Sequence, residues 1–168
     1  MPIVVLVFST LVFWLIYWFF RLGGLEQLQA ARAQRRLVQA RASDHIAPLR
    51  AVEDPRDAAI ILMLLIARVD HDPTREHIAA VEASARATFG FDRDLAERMT
   101  QARFIASRAA SFEQAAGLLS DLFNKRLTPN EKLQLVDMVR DVAKLDGPSE
   151  AQLQAIDVLT RRTGLAPA

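Results

Sequence analysis

"TPNEKLQLVDMVRDVAKLDGPSEAQLQAI", residues 128–156, decides the fold class. It opens as a capping box: Thr128 caps, Pro129 takes the first helical position and Glu131 reaches back to the cap. Leu133, Val136, Val139 and Val142-Ala143 then recur at helical spacing and predict one buried stripe. Asp146-Gly147-Pro148 stops the run, since a proline cannot continue the backbone ladder and a glycine permits a sharp turn. Apolar spacing resumes at Leu153, Ile156 and Leu159 and ends at Gly164. The stretch is two amphipathic helices joined by a tight turn.

Upstream segments read the same way. "PRDAAIILMLLIARVD" (55–70) holds the apolar run Ala58–Ala67, ten residues that are too few to span a bilayer. They predict a helix enclosed by protein at the centre of the domain. Asp72-Pro73 is expected to cap and open the next helix, which Gly90 ends. Asp92 is expected to cap a third helix and Ser111 a fourth, with Phe112, Ala115-Ala116, Leu119 and Leu122-Phe123 buried. No alternating strand pattern occurs in the sequence. The expected class is all-α, with a body of about six helices.

Composition bounds the chemistry. Of 168 residues, 51% are hydrophobic but only 7% aromatic, and none is Cys. Disulfides, thiolate nucleophiles and cysteine zinc sites are therefore excluded. The formal charge of +1 is unevenly spread: residues 21–50 carry six Arg against Glu26 and Asp44, leaving a mildly acidic remainder.

"MPIVVLVFSTLVFWLIYWFF" (1–20) has no charged side chain. As a helix, Ile3 to Phe20 would reach about 27 Å, close to a hydrocarbon core of roughly 30 Å. Trp14, Tyr17 and Trp18 lie where amphipathic rings settle at an interface. A signal peptide would need a basic start and small residues at its end, and this segment has neither. Residues 1–22 are thus expected to be an uncleaved transmembrane anchor, 23–52 a basic juxtamembrane linker helix, and 53–168 the folded domain. Arg21, Arg32, Arg35, Arg36 and Arg41 predict a single-pass inner-membrane protein, with its N-terminus outside and the domain in the cytoplasm. The expected partners are the lipid bilayer and a membrane or cytosolic protein. No nucleic acid is expected, because the basic run lacks interleaved aromatics.

The two halves of the body echo each other. "IARVDHDPTREHIAAVEASARATFGF" and "VAKLDGPSEAQLQAIDVLTRRTGL" both run Ala-x-x-Asp, polar turn, Glu, Gly. Glu76 to Gly90 and Glu150 to Gly164 are equally spaced, while the second turn is two residues shorter from Asp to Glu. On these motifs, residues 54–166 resemble TerB-like domains of the tellurite-resistance TerB superfamily. That resemblance implies an all-helical fold and an acidic cluster associated with divalent cations. The matching positions are Asp70, Glu76, Asp146 and Glu150, with Asp72 as an added candidate and Ca²⁺ as the possible ion. His71, where the family has Gly, and Pro148, inside the shortened turn, depart from the pattern.

An EF-hand is excluded: counted from Asp70, position 6 is Arg75 rather than Gly and position 12 is Val81 rather than Glu. The competing role for the acids is helix chemistry, with Asp72 as a cap and Glu76 and Glu150 favoured by the dipole at helix starts. His71 and His77 match no zinc spacing and read as surface histidines. With no phosphate loop, nucleophile elbow or H-E-x-x-H, no enzyme is expected. The expected function is a membrane-tethered cytosolic interaction or scaffold module in tellurite or envelope stress. The alternative is a divalent-cation sensor working through the acidic turns.

Overall fold

The computed structural model describes residues 46–165. Residues 46–50 are helical, and Leu49 is buried in the core that follows. Six longer helices succeed it: α1 Pro55–Ala67, α2 Arg75–Phe89, α3 Leu95–Arg108, α4 Phe112–Arg126, α5 Pro129–Ala143 and α6 Glu150–Arg162. A 3₁₀ turn, Lys144–Asp146, separates the last two. Among the described residues every regular element is helical.

α1 is the hub. Asp54 caps it by accepting from the Arg56 backbone N–H at 2.9 Å, and Pro55 opens it. All ten residues Ala58–Ala67 are buried, as the apolar run requires. α2, α3, α4 and α5 pack around it, and α6 closes the bundle against α4 and α5. Each of α2 to α6 shows the core a single stripe, so the polar faces turn outward.

Several expected details shift by a residue or two. Thr74, not Asp72, caps α2, its hydroxyl accepting from the His77 N–H. α3 starts after Asp94 with no side-chain cap, so Asp92 has no such role. Ser111 and the Thr128–Glu131 capping box hold as expected. Leu133 and Leu153, expected in buried stripes, are about half exposed. At 100° per residue Leu133 lies roughly 135° and Leu153 roughly 110° from the centre of its helix's buried face. The rest of both stripes is buried as expected, Val136, Val139 and Val142-Ala143 on α5 joined by Leu135 and Met138, and Ile156 and Leu159 on α6 joined by Gln152 and Ala155.

The expected anchor, residues 1–22, and the linker as far as residue 45 lie outside the described residues. Among the described residues no helix is long and apolar enough to cross a membrane. α1, the most apolar, has 13 residues, about 20 Å of helix, and is enclosed by protein. The single-pass membrane placement is corrected on that finding: no described helix supplies the span it needs.

Candidate functional site

The two acidic turns meet at one end of α1. In the first, Thr74 Oγ1 lies 2.7 Å from His77 Nδ1 while also accepting the His77 backbone N–H at 3.3 Å. The hydroxyl has one proton to give. Donated to Nδ1, it places the ring proton of neutral His77 on Nε2, the nitrogen 3.3 Å from Asp146 Oδ2 in the second turn. His71 Nε2 approaches the same oxygen to 3.4 Å, while its Nδ1–H donates to the Asp72 carbonyl at 3.1 Å. The two rings sit edge to face, 5.6 Å apart. His77 is 1% exposed, so it is a core residue joining the turns rather than the surface histidine expected.

The second turn reaches α1 by a parallel device. Ser149 accepts from the Gln152 N–H at 3.1 Å, and Gln152 Oε1 accepts from the Ser149 N–H at 3.1 Å. One Nε2–H of Gln152 goes to the Ile66 carbonyl at 3.1 Å, a buried bond near the C-terminal end of α1. That carbonyl belongs to the last helical turn, where it also accepts the Val69 N–H at 3.3 Å. His77 and Gln152 are both third residues of their helices, both buried and both bonded to the cap. By cap position the second turn is one residue shorter than the first, whereas the Asp-to-Glu spacing had suggested two. Gly147 makes the tighter path possible with φ +80° and ψ 116°, a conformation that side chains with a Cβ disfavour.

Of the five expected metal ligands, Asp146 alone joins this cluster. Asp70, Asp72, Glu76 and Glu150 are exposed, and Glu76 and Glu150 lie in the first turns of their helices, where the dipole suits them. Among the described residues no group of three or more His, Cys, Asp or Glu is placed to hold a metal ion. A hard cation needs six or more oxygens, but the meeting point offers one carboxylate already facing two imidazoles. The expected Ca²⁺ site is corrected accordingly.

The other end of α1 is built differently. Phe91, in the connection after α2, lies between two guanidiniums: Arg56 Cζ is 5.0 Å and Arg98 Cζ 4.4 Å from the ring centroid. Arg56 Nη2 donates to Asp54 at 2.8 Å, and Arg98 Nη1 donates to Asp57 at 2.7 Å and Asp54 at 3.3 Å. The hydrogen bond from Arg56 holds the Asp54 carboxyl below the usual carboxylate range and raises the guanidinium in turn. Arg98 Nε is buried without a partner.

Beside this network opens a cavity of about 530 Å³, bounded by the start of α1, the end of α2, the end of α4 and the start of α5. Its apolar lining is Ala59, Phe89, Leu127, Leu135 and Met138, and its polar lining includes Thr88, Arg126, Glu131 and Gln134. Glu131 serves mainly as a cap. Its Oε2 accepts the Thr128 N–H at 2.8 Å and the Thr128 hydroxyl at 2.7 Å, bonds that lower its pKa. Sequence reading missed both the ion network and the cavity, because each gathers residues from helices far apart in the chain.

Residues 56–156 match the family described as "Tellurite resistance protein TerB". The chain belongs to that family. The match spans α1 through the first half of α6, so the hub and both turns lie inside it. The TerB domain here is non-catalytic. Comparison with curated proteins gives no match, and comparison with solved structures gives none either.

Proposed function

We propose that this TerB domain is an interaction module that captures a protein partner at the cavity end of α1, within a tellurite or envelope stress response. The observation that carries the reading is the cavity of about 530 Å³, within the range of roughly 300–1,000 Å³ typical of ligand sites. Its apolar floor is ringed by polar groups from four helix ends, the composition of a site that takes a side chain and orients it. The tellurite context alone is supported by the description of the family. The turn junction, bonded internally, fixes the bundle rather than contacting the partner.

A photo-crosslinking residue placed at Gln134 on the cavity rim tests this in cells, with Asp157 on the outer face of α6 as the control. A discrete protein adduct from position 134 and none from 157 is expected. No adduct, or the same adducts from both positions, rejects the reading.

A further inference from the structure

Residues 46–53 precede the region that matches the family, and they face α1 and α3 across a gap of about 260 Å³. Pro48, Ala51 and Val52 line one side of the gap, and Ile61, Ala102 and Ile105 the other. Leu49, 1% exposed, is the segment's one fully buried side chain, while Val52 packs on the core only partly buried. The Ala51 N–H donates to the Ala47 carbonyl at 3.2 Å and the Val52 N–H to the Leu49 carbonyl at 3.3 Å, both within the segment. Among the described residues, none of its side chains makes a hydrogen bond or ion pair to the bundle. A helix of five residues does not hold itself, so the segment depends on Leu49. Few buried contacts, exposed neighbours and open space beneath mark an element that opens ahead of the body it covers.

The segment runs directly into Asp54, which caps α1 and accepts from Arg56 and Arg98. Asp54 lines both this gap and the partner cavity. Lifting the segment frees the backbone that positions Asp54. Arg56, which lines the cavity and lies over Phe91, then loses its carboxylate. We infer that residues 46–53 are a strap that regulates partner capture. Docked through Leu49, it holds Asp54 and the adjoining cavity wall in place; released, it lets that wall relax. Linkage runs both ways, so a partner in the cavity also holds the strap down. This inference rests on the reading of the cavity as the partner site.

The sequence has no Cys, so a thiol introduced by Ala102→Cys beneath the strap reports its opening through reaction with an aromatic disulfide. Val139→Cys, buried on α5, is the control. In the full chain the Ala102→Cys thiol should react about tenfold or more faster than the control and respond less to low urea. Leu49→Asp puts an unpaired charge where none can stay buried and should expel the strap, whereas Leu49→Met keeps the volume and the docked state. With the strap expelled, the adduct from the crosslinker at Gln134 should fall about fivefold or more, as the competent fraction does, and Leu49→Met should retain it. Equal urea dependence of the two thiols, or loss of Val139→Cys protection in Leu49→Asp, would make the strap part of the core and overturn the inference. An undiminished adduct from Leu49→Asp overturns the regulation while the interaction reading stands. No adduct from position 134 in the wild type overturns both.

Discussion

The two ends of α1 solve the same problem in opposite ways. A helix buried along ten consecutive residues has termini whose backbone groups and flanking charges must be satisfied close to the core. At the C-terminal end, an amide and an imidazole do it. Gln152 spends both halves of its amide on backbone partners, and His77 places one nitrogen against Thr74 and the other against Asp146. At the N-terminal end, charge and an aromatic ring do it, through Asp54, Asp57, Arg56 and Arg98 around Phe91, with Arg98 Nε left over. Cavities of about 340 and 290 Å³ open near the first end and one of about 530 Å³ beside the second, so the ends differ in the size of the opening as well as in how their polar groups are satisfied.

The strongest way to break this comparison is Phe91→Ala. The ring is 6% exposed, carries two guanidiniums and touches Phe89 at 5.6 Å between centroids. Its removal should cost about 3–5 kcal/mol by chemical denaturation, the usual range for a buried Phe. Hydrogen exchange should then show protection lost first in residues 54–57 and 89–98, with 66–77 and 143–152 still protected. Early loss at the turn junction would mean that the two ends are one unit.

Gln152→Ala attacks the other end and should cost less. It removes four heavy atoms from a buried site and leaves the Ser149 N–H without its partner and the Ile66 carbonyl with the Val69 N–H alone, for roughly 1–3 kcal/mol. Glu76→Gln, an exposed change in the equivalent turn, serves as the control and should stay within about 0.5 kcal/mol. A Gln152→Ala effect as small as the control would show that water replaces the amide, and that the junction is less closed than its bonds suggest.

What could be read from the sequence follows from how local each feature is. The enclosed helix, the capping box at Thr128, the cap at Ser111 and the stop at Gly90 depend on residues within a few positions of each other, and they hold. Leu133 and Leu153 misled because i, i+3 spacing drifts around a helix, so the first member of a stripe can lie on its exposed flank while Val136, Val139 and Val142 on α5 and Ile156 and Leu159 on α6 meet the core. Thr74 went unseen as a cap because Asp72-Pro73 carried the stronger local signal. The pairing of His77 with Asp146 spans 69 residues, and the Phe91 sandwich joins α1 to α3, so neither leaves a local trace. Asp72, Glu76 and Glu150 drew attention as ligands for their charge, whereas the buried contacts of the turns are made by an imidazole and an amide.

The finest test of the comparison concerns whether charge itself, rather than shape, holds the N-terminal end. Asp54→Asn keeps a capping oxygen on α1, since Asn caps about as well as Asp, and replaces the charged Oδ2 that accepts from Arg56 and Arg98 with a neutral NH2 that cannot accept. In the wild type, hydrogen bonding from Arg56 lowers the Asp54 pKa in the folded state. A carboxyl lowered on folding contributes stability that is fully present above its ordinary value of about 3.9 and is lost as the pH falls through the lower folded value. The difference between wild type and variant should thus favour wild type by no more than about 1 kcal/mol in a partly exposed network. It should be flat from pH 7 to about 5 and shrink below about pH 4. Added salt should reduce it, while the Gln152→Ala difference, between neutral groups, should barely respond. A difference that is absent at neutral pH, or that persists undiminished through the acid range, would mean that Phe91 and Asp57 hold the guanidiniums and that Asp54 serves only as the cap of α1. The charge that closes this end would then belong to Asp57.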